Sequence, residues 1–213
     1  MSEDAATREA ICRFARSLFE RGLTGGSSGN VSVRRPDGSM LVTPTGSSFG
    51  TLDPARIAHV DAGGTLLSGD APTKEYNLHA AFYETRTRAE AVVHLHSTHS
   101  VAWSMVTDRD PDDVLPPVTP YGIMQLGRVK LLPVYLPGDP EMGEAIRGLA
   151  GSHSAVLLAN HGPVVSARSL EAAVYATEEL EETAKLALLV EGRSPRMLSE
   201  EHVRELRERA AER

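Results

Sequence analysis

Cysteine is nearly absent: Cys12 stands alone among 213 residues, which excludes an internal disulfide and makes a reducing cytoplasm the expected setting. No apolar run approaches the ~20 residues that span a bilayer as a helix, so no membrane segment is expected. Cations are in the minority, with 22 Lys and Arg against 29 Asp and Glu, a net charge of −7, and they are scattered. That balance argues against a nucleic-acid partner. The acidic opening Met1-Ser2-Glu3-Asp4 runs into an amphipathic pattern unlike a secretory signal, so Asn30-Val31-Ser32 has no meaning as a glycosylation acceptor. Repeats, long linkers and low-complexity stretches are also missing. Residues 1–213 are therefore expected to form one domain.

What is present is an alternation of helical and strand periods. Ile11, Phe14, Ala15, Leu18 and Phe19 recur at helical spacing, with Cys12 as packing and Gly22 as a stop. Residues 30–34 alternate as a strand, Pro36-Asp37-Gly38 turns, and 40–43 returns as the second arm of a hairpin. Residues 57–61 and 65–67 make a second candidate hairpin, after which Pro72 is expected to begin a helix reaching about Thr87. Proline-rich Leu115 to Tyr121 reads as an irregular loop, Val129 to Tyr135 as a short strand interrupted by Pro133, and 140–150 as a helix. Ala155 to Ala159 is a buried strand, Ser169 caps a long helix, Ser199 caps a charged terminal one, and Trp103 belongs to the core. A sheet built from hairpins, with helices on its faces, is the expected architecture.

The densest chemistry lies in Ala91-Val92-Val93-His94-Leu95-His96, a strand whose end carries two histidines on one face. Paired imidazoles in an apolar setting need either a metal or a set of hydrogen bonds. Glu75, at a helix start, and His161, after the strand 155–159, complete a set of three histidines and one carboxylate that suits zinc. His99 either hydrogen-bonds behind these residues or simply packs in the following helix. His59, His79, His153 and His202 lack comparable neighbours and receive no role.

Two segments rich in glycine and hydroxyls, residues 24–30 and 43–48, offer backbone N–H groups to an anion or else make ordinary turns. Neither matches a Walker loop or a dinucleotide fingerprint. Pro72-Thr73-Lys74-Glu75 adds a helix start, where free N–H groups favour phosphate. Together these point to a small phosphorylated, metal-chelating substrate.

Gly29-Asn30-Val31-Ser32, Thr43-Pro44-Thr45-Gly46, Pro72-Thr73-Lys74-Glu75, Val93-His94-Leu95-His96 and Asn160-His161-Gly162, in this order, resemble the motifs of the class II aldolase/adducin family. The resemblance implies a three-layer α/β/α sandwich around a largely antiparallel sheet. It also implies a homotetramer with active sites between subunits, and a zinc ion or another divalent transition metal. By position it makes His94, His96 and His161 metal ligands, and Glu75 both a ligand and the acid/base. It places Asn30, Thr45, Gly46, Thr73 and Lys74 around a phosphate. Tyr121 is similar in placement to a tyrosine that reaches a neighbouring subunit's site.

Within the family, Thr73-Lys74-Glu75 departs from the Ser-Ser-Glu usual in aldolases. That string, together with His94 to His99, Leu158 to Val165 and Glu178 to Lys185, resembles the branch of 3-oxo-tetronate 4-phosphate decarboxylases. The implied reaction releases CO2 and dihydroxyacetone phosphate through an enediolate, with Glu75 leaving the metal to handle a proton. Lys74 then binds phosphate, orients the departing carboxylate, or stays solvated. The runner-up reading is an aldolase of the fuculose-phosphate type acting on a ketose 1-phosphate. A third is a non-catalytic, adducin-like interaction domain, for which missing ligands would be expected. The terminal helix, ending Glu212-Arg213, either covers a neighbouring site or is solvated.

Overall fold

The turn at Pro36-Asp37-Gly38 folds β1 (Asn30–Arg34) back on β2 (Met40–Val42), with Ser32 opposite Val42. A second antiparallel hairpin, β3 (Ala58–Val60) and β4 (Leu66–Ser68), extends the sheet beyond β2. On the other side of β1 lie β5 (Ala91–His94), β8 (Gly162–Ala167), β7 (Ala155–Leu158) and β6 (Val129–Leu132), giving the order β4-β3-β2-β1-β5-β8-β7-β6. Every pairing is antiparallel except that of β6 with β7. This computed structural model describes residues 3–211, so Met1, Ser2, Glu212 and Arg213 lie outside the described residues.

Side chains alternate across the strands and divide the core into layers. Val92 and Val164 face Leu78 and Phe82 of α2 (Tyr76–Thr85) and Ile146 of α5 (Glu141–Gly148). Their neighbours Ala91 and Val93 face the opposite way, onto Ile11 and Leu18 of α1 (Glu3–Glu20) and Val174 of α6 (Leu170–Val190). Farther along that second face, Trp103 of α3 (Thr98–Ser104) and Leu126 of α4 (Pro120–Leu126) pack with Leu157 and Leu180. Each fully buried side chain of the size of Ile11, Leu18 or Phe82 contributes roughly 2 kcal/mol. The result is the expected α/β/α sandwich, completed by α7 (Glu200–Ala211) at the end of the chain. Among the described residues no helix is long and apolar enough to cross a membrane.

Four local expectations change. Pro72 does not open α2: it bridges to Pro44 in extended backbone, Thr73 N–H donates to the Thr43 carbonyl, and the helix begins at Tyr76 with Glu75 as its cap. The stretch read as loop through Tyr121 ends in α4, because Thr119 accepts from Gly122 N–H at 3.0 Å and Pro120 fits a first helical turn. Strand β6 stops at Leu132, before Pro133. Strand β8 (Gly162–Ala167) has no counterpart among the expected elements; Pro163 sits at its second residue and its carbonyl accepts from Leu95 N–H at 3.2 Å.

The β7–β8 turn is tight. Asn160 has φ 59° and Gly162 φ 147°, and a Cβ at Gly162 would stand 2.2 Å from the Leu95 carbonyl oxygen. Gly162→Ala should therefore cost about 3 kcal/mol in urea unfolding. A loss below about 0.5 kcal/mol would contradict this account of the turn.

Candidate metal centre

Three elements converge at one end of the sheet. His94 is the last residue of β5 and is fully buried, and His96 follows the buried Leu95 just beyond the strand, where side-chain alternation still aligns the two rings. His161 comes from the β7–β8 turn, and Glu75 from the cap of α2. The Nε2 atoms of His94 and His96 are 3.1 Å apart, as are those of His96 and His161. The Glu75 carboxylate spans the trio, with Oε2 at 3.5 Å from His94 Nε2 and Oε1 at 3.5 Å from His161 Nε2.

Hydrogen bonding fixes which His94 nitrogen carries a lone pair. Its Nδ1–H donates to the Pro163 carbonyl at 2.8 Å, which leaves Nε2 bare and aimed at the other rings. Burial, reinforced by His96 and His161, holds the His94 pKa well below the ordinary imidazole value. His96 is lowered by burial and by His161. Both are thus neutral and able to ligate. Glu75 Oε1 is buried without a hydrogen-bond partner, an arrangement that costs ~1–3 kcal/mol unless something compensates it. Facing lone pairs, an orphaned carboxylate oxygen and an N3O donor set fit a divalent ion.

The remaining expected site residues divide. Asn30 is directly opposite His94 in the β1–β5 register, and its Nδ2 donates to Glu75 Oε2 at 2.8 Å, so its side chain is engaged with the carboxylate. Thr73 is buried, with its hydroxyl 3.3 Å from Glu75 N–H, and Lys74 beside it is exposed. Thr45 and Gly46 are exposed and held next to this segment by the Thr45 N–H bond to the Ala71 carbonyl. Tyr121 lies on the first turn of α4, 66% exposed, and enters none of the hydrogen bonds described around Glu75 or the histidines.

Two supporting residues escaped the sequence reading. His79, given no role, is fully buried and hydrogen-bonded to Asn30 and Ser32. Its signal was the four-residue spacing from Glu75, which puts both on one helix face. Glu181 of α6 accepts from His99 N–H and Nδ1 and from Ser100 N–H and Oγ, at 2.9, 2.7, 2.8 and 2.6 Å. Burial alone would raise its pKa, but these bonds hold it below the usual carboxylate value. Glu181 thereby anchors the turn that leads out of His96, and His99 lies in the following helix as one expectation had it, hydrogen-bonded to Glu181 and not to the histidine trio or Glu75.

Fold and site together define an α/β protein with a cluster of three histidines and a carboxylate that could hold a metal ion. Residues 9–188 match the family described as Class II Aldolase and Adducin N-terminal domain, and the chain belongs to that family, which is divalent-metal dependent. It is 48% identical to the 3-oxo-tetronate 4-phosphate decarboxylase of Escherichia coli K12, over 96% of each chain. The L-fuculose phosphate aldolase of Methanococcus maripaludis is 34% identical, over 83% of this chain and 91% of that one. Among solved structures, Escherichia coli YgbL superposes with a TM-score of 0.93 at 46% identity, covering 96% of this chain and 99% of that one.

If the trio holds the ion, His96→Ala should weaken divalent-metal binding at least ~100-fold in a chelator competition while leaving the circular dichroism spectrum unchanged. Equal affinity in the variant would place the ion elsewhere.

Proposed function

We propose that this chain is a zinc-dependent, cytoplasmic decarboxylase that converts a 3-oxo-tetronate 4-phosphate to dihydroxyacetone phosphate and CO2. The observation that carries the reading is the buried convergence of His94, His96, His161 and Glu75, in a chain closer to the decarboxylases than to the aldolase reported above. Zinc suits three imidazoles and one carboxylate. The intact ligand set argues against a non-catalytic, adducin-like module.

A β-keto acid loses CO2 readily only if the electron pair of the breaking C1–C2 bond has somewhere to go. His94, His96, His161 and Glu75 would hold a divalent ion here, and that ion would supply Lewis-acid polarisation of the C3 carbonyl that accepts the pair. The new electron-rich C2 then takes one proton. Glu75 stands at the centre with Oε1 uncommitted, and we assign it that delivery. Thr73, Lys74, Thr45 and Gly46, gathered by the pairing of residues 43–45 with 71–73, bind the phosphate at the other end of the substrate. Asn30 contributes by holding Glu75. The exposed position of Tyr121 supports its action in a neighbouring subunit's site, within a homotetramer.

The aldolase reading shares the centre and is separated by substrate. Offered a 3-oxo-tetronate 4-phosphate and a ketose 1-phosphate in parallel, the zinc-loaded protein should release CO2 and dihydroxyacetone phosphate from the first and no aldehyde from the second. Aldehyde without CO2 would overturn the proposal. Glu75→Gln should lower kcat by about 10²–10⁴-fold.

A further inference from the structure

Behind Glu75 runs a buried polar seam between α2 and β1. Glu75, His79 and Tyr83 recur every four residues along α2, a rise of about 6 Å per step. Asn30, Ser32 and Arg34 recur every two residues along β1, at nearly the same step of about 6.6 Å. The two rows therefore stay in register. Asn30 Nδ2 meets Glu75 Oε2 at 2.8 Å, Asn30 Oδ1 meets His79 Nε2 at 2.5 Å, His79 Nδ1 meets Ser32 Oγ at 2.7 Å, and Ser32 Oγ meets the Tyr83 hydroxyl at 2.6 Å.

The proton positions along this seam follow from one end. A carboxylate only accepts, so Asn30 must turn its amide nitrogen to Glu75 and its carbonyl to His79. His79 must then carry its proton on Nε2, which leaves Nδ1 to accept from the Ser32 hydroxyl. Ser32 in turn accepts from Tyr83. All four donors point toward Glu75. Burial, with His94 nearby, depresses the His79 pKa to about 3, so the ring stays in the neutral form that this pattern requires.

We propose that His79 is a positioning residue for Glu75: its Nε2–H locks the Asn30 carboxamide in the one orientation whose N–H group holds the Glu75 carboxylate against the histidine trio. Without that donor the Asn30 amide is free to flip and present its oxygen to Glu75, repelling the group that must both ligate and deliver the proton. The inference rests on the role given to Glu75 above, and it concerns His79, whose own hydrogen bonds go to Asn30 and Ser32.

The test combines His79→Leu, His79→Gln, Asn30→Ala and the double variant Asn30→Ala/His79→Leu, each loaded with Co(II) as a spectroscopic probe. Leucine should lower kcat about 10–100-fold with KM within about threefold, and should shift the visible Co(II) bands toward those of Asn30→Ala. Glutamine, whose amide places an N–H near the position of Nε2, should restore most of both. The double variant should be no worse than Asn30→Ala, because the two act in series. Wild-type kcat and bands in His79→Leu, or losses that multiply, would overturn the inference. If the leucine variant does not fold, His79→Gln decides: retained bands and kcat support the role, and lost ones refute it. Imidazole 15N shifts of the metal-free wild type give a reading independent of activity, since His79 in the Nδ1–H form would refute the seam. Failure of the wild type to decarboxylate, with His79 in the Nε2–H form, would instead count against the substrate assignment.

Discussion

Three imidazole nitrogens facing one another at hydrogen-bond distance, in a buried corner, is an arrangement that neutral rings alone do not favour. His94 already donates its Nδ1–H to the Pro163 carbonyl, so the Nε2 lone pair points inward. A cation bound there would remove the repulsion and use the bare Glu75 oxygen at the same time. Much of the local architecture serves this convergence. The β1–β5–β8 register sets Asn30 opposite His94 and His94 opposite Val164, the Asn160-His161 turn returns the third ring, and extended pairing of Pro72 with Pro44 delivers the α2 cap.

Pro163 shows how closely backbone and site are joined. Its carbonyl receives both the Leu95 N–H, which extends pairing past the end of β5, and the His94 side chain. Gly162, pressed against the Leu95 carbonyl, leaves no room for a side chain at its own position in that turn. On the far side, Glu181 ties the first amides of α3 to α6 and so steadies the segment that emerges from His96. The rings are thus held from the sheet, from a hairpin turn and from a helix cap, which is the preorganisation that a centre acting on charge development requires.

The parts that could be read from sequence were those with local periodicity. The hairpins, the long α6 and the alternation into β5 carry patterns of period two or 3.6, and the family motifs pointed to His94, His96, His161 and Glu75, which the fold brings together. What stayed hidden depended on tertiary pairing. Pro72 looks like a helix start until Pro44 claims it as extended backbone, and Gly162-Pro163 looks like a break until β5 and β7 flank it. Thr119-Pro120 is a strong helix opening masked by the prolines before it. His79 was passed over because its partners, Asn30 and Ser32, lie 49 and 47 positions away, and only the seam with β1 explains a histidine in the core.

The central claim is that these four side chains hold one divalent ion. X-ray absorption at the zinc edge on the stoichiometrically loaded protein tests it most directly. The account predicts three nitrogen scatterers with imidazole multiple-scattering at about 2.0–2.1 Å and a carboxylate oxygen at about 2.0–2.2 Å, with one imidazole lost in His161→Ala. A shell of oxygen alone, or one unchanged by that substitution, would contradict it.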